Sequence, residues 1–262
     1  MPNSPEILFF DDFTAPALNR RIWNVEVTGQ IHNRELQAYL DSPETLLISQ
    51  NEPDSRGALI LQTQYRLGFI TPQGDRLDFL SARINTRGNL SFRYGRVAAR
   101  LKLPALPGTW PAFWALGLSE AWPTCGEIDI MEAVGESDWV SAAAHGENFF
   151  GESALVNKKY FSAPQGIAAW HSYAVECAPD VLRFFVDDEM IYRITRPMVE
   201  FFGHWPFDSE KYLLLNLALG GVYPLKTNGA KTPCEGLPAA SLETLQREPA
   251  RLLVDWVEIR AL

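Results

Sequence analysis

CGEIDIMEAVGE, residues 125–136, places Glu127 and Asp129 two apart and Glu132 three beyond Asp129. In a β-strand side chains alternate between faces, so Glu127 and Asp129 share one face while Glu132 points to the other. Ile128 and Ile130 alternate with the two acids and read as the core side of the strand. One extra residue near Met131, a β-bulge, rotates the rest of the strand and returns Glu132 to the acidic face. Three carboxylates in a row raise one another's pKa, and a surface strand gains nothing from that. A site that needs one carboxyl group protonated and another ionised does gain from it, as glycoside hydrolysis requires. Taken alone, ExDxxE is more often a solvated acidic edge or an ion-pair face.

The same period of two runs through the surrounding chain. YLLLNLALGG, residues 212–221, sets Leu213, Leu215, Leu217 and Leu219 against Tyr212, Leu214, Asn216 and Ala218. GRVAARLKL, residues 95–103, sets Val97, Ala99, Leu101 and Leu103 against Arg96, Ala98, Arg100 and Lys102. VLRFFVDDEMIYRIT, 181–195, reads as two strands around an Asp187–Glu189 turn, and RLLVDWVEIRAL, 251–262, as a closing strand. Helical signals are confined to SLETLQRE, 241–248, with Ser241 as N-cap, and PMVEFFG, 197–203. Proline and glycine punctuate short strands without any internal repeat. The expectation is an all-β jelly-roll β-sandwich of two antiparallel sheets, the concave inner sheet forming a cleft, in one domain over residues 1–262.

Composition narrows the ligand. With 23 Lys and Arg against 32 Asp and Glu, a net charge of -9, the chain lacks the basic excess of a nucleic-acid binder, and a neutral ligand suits it better. No run approaches the roughly 20 apolar residues of a membrane span, and MPNSPEILFF lacks the basic and apolar parts of a signal peptide. Three widely spaced cysteines, Cys125, Cys177 and Cys234, suggest neither a disulfide framework nor a zinc site. They read as buried thiols, with one disulfide and one free thiol as the alternative.

Upstream, GTWPAFWALG, residues 108–117, puts Trp110 and Trp114 on one strand face. Strand-borne tryptophans are commonly core, but beside carboxylates such rings stack on the apolar faces of sugars. In SAAAHGEN, Ser141, Ala143 and His145 share a face by the same alternation. A lone histidine is more often structural. Asn216 interrupts a leucine-rich strand and reads as a cleft residue or a buried hydrogen-bonding group. By their own surroundings Asn33 reads as a turn residue and Arg83 as a surface ion-pair partner.

INTRGNLSFRYGRVAARLKLPALPGTWPAFWALG, followed by GEIDIMEAVGE, resembles glycoside hydrolase family 16, in particular its laminarinase-like branch of endo-β-1,3-glucanases. LFFDDF, NRELQAYL, LILQTQ, WHSYAVECAPDVLRFFVDD, YLLLNLALGG and LLVDWVEI extend the resemblance over nearly the whole chain. It implies that Glu127 is the nucleophile, Glu132 the general acid/base, and Asp129 the residue between them that hydrogen-bonds to Glu127. It places His145 beside the cleft and Asn33 and Arg83 on sugar hydroxyls. It further implies a retaining cleavage of β-1,3-glucan, extending to mixed β-1,3/1,4-glucan, without a cofactor for catalysis. The expected partner is a polysaccharide or oligosaccharide, with no nucleic acid and no membrane, and the chain is expected to be a monomer acting outside the cell or in its envelope. Many relatives carry a structural calcium held by backbone oxygens and one aspartate, positions that match Gly57 and Asp255. The alternatives are a galactan-directed relative, such as an agarase or carrageenase-like enzyme, and a non-catalytic glucan-binding protein. The paired glutamates argue against the second. Two stretches depart from the family pattern: residues 222–250, expected to be an elaborated loop, and HGENFFGES, 145–153.

Overall fold

The computed structural model describes residues 5–27, 31–162 and 164–262. Two large antiparallel sheets dominate, as alternation predicts. The first, here the cleft sheet, runs in the order Leu155–Tyr160, Trp139–His145, Glu127–Glu132, Thr109–Gly117, Lys211–Leu219, Arg83–Asn85, Asn24–Val25. The second, the outer sheet, runs Glu189–Thr195, Val181–Val186, His171–Ala178, Gly95–Lys102, Arg251–Arg260, Ala58–Gln62, Leu46–Ser49, with Ile7–Asp11 also paired to Arg251–Arg260. Sequence neighbours are often separated in these orders, as in a jelly roll, so the sheets are tied by long-range pairing.

The core lies between the sheets. Leu213, Leu215 and Leu217 meet Val97, Ala99 and Leu101 across it, together with Phe113, Ile128, Val254 and Ile259, all buried. Truncating one of the central leucines to alanine is expected to destabilise the fold by about 2–5 kcal/mol, through lost transfer energy and the cavity left behind. The closing strand changes face midway: Leu252 and Val254 enter the core, then Val257 and Ile259. A register shift between Val254 and Trp256 makes Asp255 the extra residue of a bulge.

Several details differ from the alternation-based reading. A third, three-stranded sheet pairs Gln37–Tyr39 in parallel with Arg76–Ser81, which in turn pairs with Gln64–Ile70. The 181–195 hairpin turns at Asp187 and Asp188, both left-handed with φ 49° and 64°, and Glu189 already belongs to the return strand. Ser241 is not an N-cap. The helix spans Ala239–Leu245 behind Pro238, whose fixed φ suits a helix start, and Ser241 is buried inside it. The stretch expected to be a loop also forms a helix, Val222–Asn228, entered from Gly221 and stopped by left-handed Gly229. PMVEFFG contributes the short helix Arg196–Glu200. All three cysteines are free; Cys125 and Cys177 are buried, whereas Cys234 is partly exposed. Among the described residues no helix is long and apolar enough to cross a membrane.

Candidate active site

The bulge expected near Met131 is present. Asp129 stands opposite Trp114 on one side and Ala143 on the other, while Glu132 stands opposite Ala112 and Ser141. Ile130 and Met131 together therefore face the single residue Ala142, and both side chains go into the core. That double inward step restores Glu132 to the face of Glu127 and Asp129. The row continues across the sheet, because residues paired in register share a face: Glu127 with His145, Asp129 with Ala143, Glu132 with Ser141.

Indole N–H groups hold the two glutamates. Trp110 Nε1 donates to Glu132 Oε1 at 2.9 Å, and Trp122 Nε1 donates to Glu127 Oε2. Asp129, only 3% exposed, lies between them. His145 Nε2 is 2.9 Å from Asp129 Oδ2, an ion-pair distance. The ring N–H is not aimed well enough for a hydrogen bond, so Oδ2 has no donor. His145 Nδ1 accepts the Gly151 N–H at 3.2 Å.

Burial is the main reason that all three carboxyl groups are raised above their ordinary values. It pushes Glu127 and Glu132 up to about 8, helped in each by the charge of Asp129 and opposed by His145 and by the tryptophan N–H bonds. Asp129 rises to about 7 through burial, against the lowering effect of its hydrogen bond with Glu127. Two carboxyl groups bonded to each other share a proton, so the three titrate as one unit. At neutral pH the cluster holds at least one proton and carries fewer than three charges.

The flanking residues predicted from sequence separate into groups. Trp110 and Trp114 do share the open face with the carboxylates, one strand over. Asn216 lies on this face but is buried, its Oδ1 accepting the Trp114 Nε1–H at 2.8 Å. Arg83, opposite Asn216, stacks its guanidinium 4.8 Å from the Trp114 ring centroid and lies 3.2 Å from Glu26. Asn33 is exposed in a left-handed turn (φ 50°), and its carbonyl accepts the Val222 N–H at 2.9 Å. Gly221 has to be glycine there, since a Cβ would come within 2.6 Å of that carbonyl.

Gly57 and Asp255 lie away from this face, on the outer-sheet side. Asp255 Oδ2 is held by Arg100 Nη1 at 2.6 Å, and Arg100 also donates to the Asp54 carbonyl at 2.8 Å. The Gly57 carbonyl accepts the Ser55 hydroxyl at 3.2 Å. Among the described residues no three His, Cys, Asp or Glu side chains are grouped to hold a metal. Calcium takes six to eight oxygen donors; of the two ligands expected from sequence, Gly57 offers one backbone carbonyl and Asp255 is paired with the Arg100 guanidinium. A hollow of about 590 Å³ beside Asp255, lined also by Asp12 and Asp54, contains none of the carboxylate cluster and is not the seat of its chemistry.

Two residues were not foreseen from sequence. Trp122 stands five before Glu127 in a proline-containing turn, and an aromatic so close to the acidic motif was the available signal. Tyr223 comes from the helix Val222–Asn228; its ring lies edge-on to Trp110 at 5.6 Å and its hydroxyl is 3.0 Å from that of Ser141. No local pattern announces it, because the contact joins segments 82 residues apart.

Known proteins resemble this one over nearly the whole chain. The family model for glycosyl hydrolases family 16 matches residues 37–232. A beta-glucanase of Rhodothermus marinus is 32% identical over 97% of this chain and 84% of its own length. The glucan endo-1,3-beta-glucosidase A1 of Niallia circulans is 28% identical over 97% of this chain, which spans only 37% of that longer protein. Among solved structures, the endo-beta-1,3-glucanase from Pyrococcus furiosus superposes with a TM-score of 0.83 at 28% identity, covering 97% of this chain and 94% of its own. A bulged strand with three acids on the cleft face of a jelly-roll sheet, and a family match over three quarters of the sequence, agree: the chain belongs to glycosyl hydrolase family 16.

Proposed function

We propose that the protein is an endo-acting, retaining hydrolase of β-1,3-glucan, extending to mixed β-1,3/1,4-glucan. The observation that carries this reading is the bulge at Ile130–Met131, which sets Glu127, Asp129 and Glu132 on one open face. Glu132, kept protonated near neutral pH by burial and the nearby Asp129, donates to the glycosidic oxygen. Glu127 attacks the anomeric carbon; the Trp122 N–H and the proton shared with Asp129 stabilise its ionised form against burial. The aglycone leaves, and a glycosyl–Glu127 ester forms through an oxocarbenium-like transition state. Glu132, now ionised, takes a proton from water, which attacks the ester and releases a sugar of retained configuration. Trp110 and Trp114 offer ring faces to the glycan, while Arg83 and Asn33 donate to its hydroxyls. Two carboxyl groups supply the acid and the nucleophile, and no cofactor enters the chemistry. Its polysaccharide substrate places the protein outside the cell or in the envelope, acting as a monomer with a single catalytic domain.

Separating the two glutamates tests the proposal. Glu132→Ala is expected to be slow on laminarin but comparatively spared on an aryl β-glycoside whose leaving group needs no proton, with azide restoring the second step. Glu127→Ala is expected to be inactive on both substrates, and NMR of fresh product to show the β-anomer first. An initial α-anomer, or activity confined to agarose or carrageenan, overturns the reading. Laminarin binding without release of reducing sugar would indicate a glucan-binding protein instead.

A further inference from the structure

HGENFFGES, residues 145–153, lies beside the site, and the structure gives it a use. We propose that the turn Gly146–Gly151 positions the catalytic carboxylates: Phe150 braces Trp122 against Glu127, and the Gly151 N–H fixes the His145 ring with its Nε2 beside Asp129. The proposal rests on the glucanase reading of the same site.

The turn is anchored firmly. Gly146 and Phe149 exchange two backbone hydrogen bonds, at 3.0 and 3.2 Å, around Glu147 and Asn148. The Phe149 ring is fully buried against Phe202 and Phe207. A Cβ on Gly146 would lie 2.3 Å from that ring, so this glycine and the buried phenylalanine fit only each other. From this anchor the chain delivers the next two residues to the carboxylate face.

Phe150 meets Trp122 edge-on, with centroids 5.4 Å apart at 74°. Both rings are about half exposed, 42% and 51%, so neither is explained by core packing. A solvent-facing indole that must keep its N–H on Glu127 loses its freedom to swing away when a second ring stands against it. Gly151 acts on the other partner. Its amide donates to His145 Nδ1, which therefore carries no proton, and the neutral ring places its hydrogen on Nε2, the atom facing Asp129. A doubly protonated ring would set two N–H groups against each other. Asp129 is thus faced by the His145 imidazole from the adjacent strand, by Glu127 and Glu132 on its own strand, and by the Tyr223 phenol from the helix Val222–Asn228.

Gly151 offers a sharp test because it is left-handed, φ 55°, with open space where a Cβ would stand. Only backbone conformation then separates substitutions: asparagine tolerates φ above zero, whereas a β-branched residue does not. Imidazole ¹⁵N spectra of His145 are expected to show the Nε2–H tautomer in the wild type and in Gly151→Asn. In Gly151→Val that pattern is lost and the kcat/KM pH profile moves; Gly151→Ala is the milder form if the valine variant does not fold. Phe150→Ala is expected to keep its thermal midpoint and lose about 10- to 100-fold in kcat/KM on an activated aryl β-laminaribioside, where only Glu127 is needed for the first step, with Phe150→Tyr restoring it. Wild-type rates on that glycoside from Phe150→Ala, or one ¹⁵N pattern shared by the asparagine and valine variants, overturn the proposal. Wild-type protein inactive on laminarin defeats the glucanase reading instead, and the ¹⁵N readout, which needs no substrate, still decides the role of Gly151.

Discussion

Replacing Glu132 by glutamine is expected to make the protein more stable at neutral pH while removing its general acid. Burial and the charge of Asp129 raise the Glu132 carboxyl from 4.5 to about 8. A folded-state pKa above the unfolded value means that the native state keeps a proton the unfolded chain has lost. Stability is therefore undiminished below pH 4.5 and declines as pH rises toward 8. For one isolated group, that gap at about 1.36 kcal/mol per pH unit removes roughly 3 kcal/mol by pH 7. Glu127 and Asp129 share the repulsion, so deleting one member recovers only part, about 1–3 kcal/mol. Glutamine keeps an oxygen for the Trp110 N–H, which leaves the 2.9 Å hydrogen bond in place and isolates the loss of charge. In a chain of this size the gain corresponds to a rise in Tm of about 3–10 °C near pH 7–8, shrinking to nearly nothing near pH 4. Differential scanning calorimetry of both proteins across that range measures it. A Tm difference independent of pH, or greatest in acid, would refute the claim that Glu132 is held in the fold against its own ionisation.

The other predictions concern the groups around the cluster. Trp110→Phe keeps a ring but removes the N–H that lowers Glu132's pKa, so the alkaline limb of the kcat/KM profile should move to higher pH; a limb that stays put or moves down contradicts this. Trp114→Ala, in a Glu127→Ala background, should weaken laminari-oligosaccharide binding by about 1–3 kcal/mol in calorimetric titration, and unchanged affinity would remove its role as a platform. On the outer sheet, Arg100→Met should lower stability by about 3 kcal/mol because it strands Asp255, whereas a chelator should leave Tm unchanged; a rise in Tm on adding calcium would show that the metal, and not the guanidinium, neutralises Asp255.

The sequence alone determined the parts of this protein that repeat at short range. Alternation identified the strands and their core faces, because a side-chain period of two is imposed by the backbone of each strand and needs no partner. The same rule located the bulge: an acid displaced by one residue, with Ile128, Ile130 and Met131 between, leaves one arrangement that keeps apolar groups inside and carboxylates out. Short-range reading failed where a partner decides. Ser241 has the chemistry of an N-cap, yet Pro238 starts the helix earlier and packing buries the serine. Val222–Asn228 has no usable period, being flanked by glycines and carrying Pro224, and its helix is set by the docking of Gly221 against the Asn33 turn. Trp122 reaches Glu127, Tyr223 reaches Trp110 and Ser141, and Gly151 reaches His145 from segments whose approach no local pattern encodes. The raised pKa values belong to the tertiary structure for the same reason. Sequence places three acids on one face, but only the walls that exclude water from them determine how strongly each holds its proton.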